Sequence, residues 1–220
     1  MTAIQTVLFD LDGTLADTAP DLGGALNELL RTHGLPEKNL ADIRPAAGHG
    51  SAALIRLGAG IAPDHPDFAQ WQQDYLAAYA GRCARDSVLF DGIARLLAEL
   101  HHRSLKWGIV TNKSRAFTER LLPALGFPVP PAAVVCGDTC AEAKPSPQPL
   151  LHAARQTGTP PAQCLYLGDA ERDMQAARRA GMTAVLARWG YIADTDDTAA
   201  WPCDAVIGTP AELLSLLDSF

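Results

Sequence analysis

The run Thr6-Val7-Leu8-Phe9-Asp10-Leu11-Asp12-Gly13-Thr14 narrows the possible folds more than any other stretch of the chain. Its apolar, β-branched first part reads as a buried strand, and it stops at two carboxylates one residue apart, then at Asp-Gly, a turn signal. Alternation along an extended chain brings Asp10 and Asp12 toward one face while Val7 and Phe9 anchor the strand in a core. Two acids so placed beside an apolar sheet repel unless they share a cation. Taken alone, the motif reads as a turn at Asp12-Gly13 and a solvated strand end at Asp10.

The rest of the chain supplies more strands of the same kind. Trp107 to Val110, Ala133 to Cys136, Cys164 to Leu167, Ala184 to Ala187 and Ala205 to Ile207 are short apolar runs. Helical spacing lies between them: Ile93, Leu96, Leu97 and Leu100, then Phe117, Leu121 and Leu122, then Leu150 to Ala154. It returns from Asp173 to Ala180, where Gly181 is the stop, and from Thr209 onward. Strand-helix alternation predicts an α/β fold with a parallel sheet covered on both faces, in which ligands bind outside the carboxyl ends of the strands. Asp10, Thr111 and Asp169 all fall there.

Between the first and second strands the pattern is helical. Leu22, Leu26, Leu29 and Leu30 mark a helix from Asp21 to His33 that Gly34 and Pro36 end. Ile43 and Pro45 lead to Gly48-His49-Gly50-Ser51, and Ser51 is positioned to cap a helix through Leu54, Ile55 and Leu57. Phe68, Trp71, Tyr75, Leu76 and Tyr79 form an apolar stripe on a third helix. The expected division is a core of residues 1–16 and 86–220 and a helical insertion of residues 17–85.

At 220 residues the chain suffices for a core and a small second unit. A net charge of -7 gives no diffuse attraction to nucleic acid or an anionic membrane surface, so any phosphate site must be built locally. Met1 to Gln5 carries no basic region, and Asp10 arrives too early for a signal-peptide core. No apolar run reaches membrane-spanning length, so the expected location is the cytoplasm. Five scattered cysteines (Cys83, Cys136, Cys140, Cys164, Cys203) suggest neither a disulfide framework nor, without clustered histidines near Cys136 and Cys140, a zinc site.

Asp-Leu-Asp-Gly-Thr after an apolar strand resembles the signature of the haloacid dehalogenase superfamily. Three further motifs follow in that family's order: Thr111 at a strand end, Lys144 opening a proline-rich loop, and Gly168-Asp169-Ala170-Glu171-Arg172-Asp173. The resemblance runs from Val7 to about Leu217. It implies a Rossmann-like core, a cap domain in residues 17–85 closing over the site, and phosphoester hydrolysis in which Asp10 attacks phosphorus to form an aspartyl-phosphate. Asp12 would protonate the leaving oxygen and then activate water.

Mg2+ is the implied cofactor, a hard ion that takes oxygen ligands and a substrate phosphate. Its expected ligands are the Asp10 carboxylate, the Asp12 backbone carbonyl and Asp169. Asp173 would hold a metal-bound water or orient Lys144; read alone it is a helix N-cap. The Thr111 hydroxyl and the backbone amides of Asn112 and Lys113 would donate to phosphate oxygens, and Lys144 would neutralise phosphate and Asp10. Pro145, Pro147 and Pro149 stiffen the lysine's loop. Ala143 and Ser146 depart from the commonest family pattern, which has Gly and Asp there, and leave the loop's path less defined than its residue roles.

Dehalogenating members lack the second acid, because a halide leaving group needs no proton, so Asp12 favours phosphoryl transfer. Leu15 to Asp21 and the cap placement resemble phosphoglycolate phosphatases. Trp107 to Lys113, Gly168 to Asp173 and Arg188 to Ile192 also resemble N-acetylmuramic acid 6-phosphate phosphatases of cell-wall recycling. Either way the expected partner is a small phosphorylated metabolite. A β-phosphoglucomutase-like mutase and a non-catalytic binding protein rank below a hydrolase. Gly48, His49 and Gly50 are the candidate substrate contacts of the cap, with Arg56 beside them; read alone they are a turning connection between helices. Arg188 and Trp189 border the same cleft or simply pack. The oligomeric state is left open.

Overall fold

The computed structural model describes residues 3–219. Met1, Thr2 and Phe220, at the ends of the expected core segments, lie outside the described residues. Strand β1 (Thr6–Phe9) is buried throughout because both its faces are covered. Val7 and Phe9 enter one apolar cluster with Trp107, Ile109, Leu165, Leu167 and Val185, whereas Leu8 enters another with Val110, Tyr166 and Leu186. Each fully buried side chain of this kind contributes roughly 1.5–3 kcal/mol. A strand buried on both faces shows a continuous apolar run, which is why it was readable.

β1 is central in a six-stranded parallel sheet. Its neighbours are β4 (Lys106–Val110) and β6 (Cys164–Gly168), and the sheet continues to β5 (Ala133–Val135) on one side and to β7 (Thr183–Ala187) and β8 (Ala205–Ile207) on the other. Helices α5 (Ile93–His102) and α9 (Glu212–Leu217) cover the Phe9 face; α7 (Gln148–Thr157) and α8 (Glu171–Ala180) cover the Leu8 face. Pairing of Phe9 with Ile109 and Leu167 sets the ends of β1, β4 and β6 side by side, so Asp10, Thr111 and Asp169 leave the sheet together.

Four helices stand over that edge: α1 (Ala19–Thr32), α2 (Leu40–Ala47), α3 (Gly50–Ala59) and α4 (Phe68–Arg82). They close around Leu22, Leu26, Leu29, Leu30, Ile43, Leu54, Ile55, Tyr75 and Tyr79. The two chain passages between them and the sheet domain pair antiparallel as β2 (Ala16–Asp17) and β3 (Val88–Leu89). Buried Asp21 ties the second passage to α1, accepting from the Asp86 and Ser87 amides and the Ser87 hydroxyl.

Several local expectations change. The stretch through Ile43 and Pro45 is itself a helix, α2, despite the proline inside it; Asn39 caps it by accepting from the Asp42 amide at 2.9 Å, a signature present in the sequence. α3 begins at Gly50, so Ser51 lies within the helix and its hydroxyl faces Gln72 instead of capping. Leu76 is not part of the buried stripe of α4; it is 37% exposed and lines the cavity described below. Helix α6 (Arg115–Leu121) follows Ser114. Among the described residues no helix is long and apolar enough to cross a membrane.

Candidate active site

Asp10 continues β1 past its last paired residue, its amide still donating to the Leu167 carbonyl, and its Oδ1 accepts from the Leu11 amide at 2.8 Å. One oxygen each of Asp10, Asp169 and Asp173 lies within 4.8 Å of the others, all three residues being buried. Lys144 Nζ completes the group, 2.9 Å from Asp10 and 2.8 Å from Asp173, and donates to Val110 O and Tyr166 Oη. Burial pushes the Asp10 carboxyl up to about 6; Lys144 opposes the shift and Asp173 adds to it. Burial, with the charges of Asp10 and Asp173, pushes Asp169 up to about 7, against the hydrogen bonds it accepts from Tyr191 and Thr14.

Asp12 goes elsewhere. Its carboxylate accepts from Lys113 Nζ at 2.8 Å and from the Thr18 hydroxyl at 2.6 Å. The carboxylates of the opening motif thus each have their own lysine, Lys144 for Asp10 and Lys113 for Asp12. Burial alone would raise the Asp12 carboxyl, but the Lys113 charge and hydrogen bond, with Thr18, hold it below the usual carboxylate range. Lys113 Nζ also lies 5.0 Å from the centroid of the Tyr79 ring on α4. The sequence reading considered only this lysine's backbone.

Thr111 is buried at the end of β4 and its hydroxyl oxygen accepts from the Lys113 amide at 3.1 Å, leaving its proton available. That bond commits the Lys113 amide, which is thus not a spare phosphate donor. The Asn112 side chain clamps the lysine loop, accepting from the Lys144 amide at 3.0 Å and donating to its carbonyl at 2.9 Å. This bidentate clamp fixes the loop that the sequence left undefined. Asp173 is the third residue of α8, not its N-cap: its Oδ2 accepts from the Ala170 amide at 3.0 Å, while Oδ1 faces Lys144.

Asp169 is fixed from three sides, by the Thr14 hydroxyl and the Tyr191 amide, each at 2.8 Å, and by two glycines that leave it room. A Cβ at Gly13, whose φ is +84°, or at Gly190 would collide with its side chain. Trp189 packs against the core cluster and donates its indole N–H to the Thr14 carbonyl, whereas Arg188 is exposed.

A cavity of about 450 Å³ opens between this site and the four helices. Asp10, Asp12, Thr111, Asn112, Lys113 and Arg172 line its sheet side. Gly48, His49, Gly50 and Ser51, with Leu22, Tyr75, Leu76 and Tyr79, line the helical side. Gly48, His49 and Gly50 thus face Asp10, Asp12 and Thr111 across one space. Arg56 is exposed and outside that lining, and Arg172 is a lining residue that the reading did not single out.

A family model described as haloacid dehalogenase-like hydrolase matches residues 7–187. The chain is 42% identical to a phosphoglycolate phosphatase of Xanthomonas campestris pv. campestris over 95% of this chain and 94% of that protein. It is 37% identical to an N-acetylmuramic acid 6-phosphate phosphatase of Pseudomonas aeruginosa, over 98% and 95%. A crystal structure described as a predicted phosphoglycolate phosphatase from Haemophilus somnus superposes with a TM-score of 0.84 at 26% identity, covering 98% of this chain and 99% of that one. With the family model matching residues 7–187, a span that contains Asp10, Thr111, Lys144 and Asp169, and with a relative 42% identical over nearly the full length, the chain belongs to the haloacid dehalogenase-like hydrolase family.

Proposed function

We propose that the protein is a Mg2+-dependent phosphomonoester hydrolase acting through an aspartyl-phosphate on Asp10, with residues 17–85 as a cap over the site. The observation that carries this reading is the buried Asp10–Asp169–Asp173 group, with Lys144 bridging Asp10 and Asp173, beside a cavity lined by Asp10 and Asp12. Asp10 attacks phosphorus, the ester oxygen leaves with a proton from Asp12, and water then attacks the aspartyl-phosphate as Asp12 takes its proton. Service as an acid requires Asp12 to take up a proton, which Oδ2 can carry while Oδ1 keeps its bonds from Lys113 and Thr18. Lys144 neutralises negative charge at Asp10, the Thr111 hydroxyl donates to a phosphate oxygen, and Asp173, with both oxygens already engaged, orients Lys144.

The donor set suits Mg2+. All the candidate ligands are hard oxygens, namely the Asp10 and Asp169 carboxylates and the Asp12 carbonyl. The raised Asp10 and Asp169 carboxyls mark a place where added positive charge is favourable. Bound there, Mg2+ would supply charge neutralisation for the transferring phosphoryl group. The metal-free protein carries a stability signature of this crowding. A carboxyl raised in the folded state contributes stability below its ordinary value of 3.8 that is lost as pH rises through its folded value, here about 6 for Asp10 and about 7 for Asp169. Without metal, Asp169→Asn should therefore melt above the wild type at pH 8, with the gap closing toward pH 5. Mg2+ should raise the wild-type melting temperature at pH 8 and not that of the variant. A gap independent of pH would contradict this.

The 42% identity to a phosphoglycolate phosphatase supports a substrate of that type. The cavity favours a second reading. Its 450 Å³ and its wall of Leu22, Tyr75, Leu76, Tyr79 and Phe117 exceed what a two-carbon phosphate fills and suit a sugar phosphate such as N-acetylmuramic acid 6-phosphate. Side-by-side kcat/KM values for 2-phosphoglycolate and N-acetylmuramic acid 6-phosphate with Mg2+ decide between them. Phosphate release from neither these nor other small phosphomonoesters would defeat the hydrolase reading.

A further inference from the structure

Tyr191 lies in the segment after β7, within the Arg188 to Ile192 stretch but with no site role attached to it, and reaches both Asp169 and the passage into the four helices. Its amide donates to Asp169 Oδ2 at 2.8 Å. Its phenol oxygen, at the other end of the side chain, accepts from the Thr18 amide at 2.7 Å and the Ala19 amide at 2.8 Å, and donates to Asp17 Oδ1 at 2.9 Å. Thr18 and Ala19 start α1, so the phenol satisfies two amides that a helix start leaves without partners. Asp17 in turn holds Arg44 of α2 through two bonds of 2.9 and 2.7 Å. The Tyr191 ring is 4% exposed and packs in the apolar cluster of the four helices, and its Cβ and carbonyl border Gly48 so closely that a Cβ there would lie 3.2 Å away. Burial and the nearby Asp17 charge raise the phenol, which keeps the proton it donates.

One residue, through its backbone amide and its side chain, thus spans from a candidate metal ligand to the first cap passage and the Gly48 loop. We propose that Tyr191 is a positioning residue: its backbone orients Asp169 while its hydroxyl holds Asp17, Thr18 and Ala19. The acidic cluster and the cap loop are thereby kept in one relative position. The catalytic meaning of that coupling rests on the phosphatase reading; the coupling itself does not. Thr18 also donates to Asp12, so the passage that Tyr191 holds is the one that carries a contact to the second acid.

Tyr191→Phe removes the three hydroxyl bonds and keeps the ring and the amide to Asp169. Amide exchange read by NMR at Thr18 and Ala19 should quicken at least about tenfold in the variant, whose melting temperature reports that it is folded. Adding MgCl2 alone should slow exchange at these two amides in the wild type and leave it unchanged in Tyr191→Phe. The variant's kcat/KM should fall by about tenfold. Equal exchange in the two proteins, or the same response to Mg2+ in both, would overturn the proposal. Wild-type protein that shows the exchange response but releases no phosphate would instead remove the phosphatase reading and leave the coupling standing.

Discussion

Asp10→Asn is expected to lose Mg2+-dependent phosphate release by on the order of 10⁴-fold or more while remaining as stable as the wild type, or more so. The loss follows from replacing a carboxylate oxygen that can bond to phosphorus with an amide that cannot. The retained stability follows from the surroundings. Burial raises Asp10, and Asp173 repels it, so an uncharged residue of the same shape relieves a cost that the wild type carries near neutral pH. The Leu11 amide and Lys144 still find an oxygen on asparagine. Substantial residual Mg2+-dependent turnover would remove Asp10 from the nucleophile's position, and a variant less stable than the wild type would contradict the account of its surroundings.

Lys144→Met is expected to cost both activity and stability. Its ammonium is surrounded by oxygens of Asp10, Asp173, Val110 and Tyr166 and has no exposed side-chain surface. Removing it strands buried carboxylates that had a partner, which typically costs about 3 kcal/mol or more. For a chain of this size that corresponds to a fall in melting temperature of roughly 10 °C. Because protonation relieves stranded carboxylates, the deficit should shrink as pH falls. kcat should drop about 10³-fold through loss of the charge facing Asp10. Lys144→Arg should not rescue it, since a planar fork cannot replace a compact ammonium in a closed oxygen cage. Calorimetry and steady-state kinetics on the two variants check this.

Much of the fold was legible because a parallel sheet buried on both faces writes itself as uninterrupted apolar runs. β1, β4, β6 and β7 all have this form. The ends of those strands located Asp10, Thr111 and Asp169. The two-residue strands β2 and β3 were not legible, since so short a pairing has no periodicity. Within the site, the residues to which chemistry is assigned were readable from their motifs, but those that hold them were not. Lys113 stands beside a motif threonine, yet its ion pair with Asp12 spans 101 positions. Tyr191 meets Thr18 across 173 positions, and nothing in the local sequence points from one to the other. Asn112 was expected at a phosphate; its side chain's use as a clamp on Lys144 depends on how two loops meet.

The central claim is that the phosphoryl group is carried on Asp10 between two displacements at phosphorus. The stereochemical course of hydrolysis, followed with a phosphate ester made chiral by oxygen isotopes, tests it directly whether or not the intermediate accumulates. Two in-line displacements give retention of configuration, the predicted result. Inversion would mean that water attacks the substrate itself and would contradict the account.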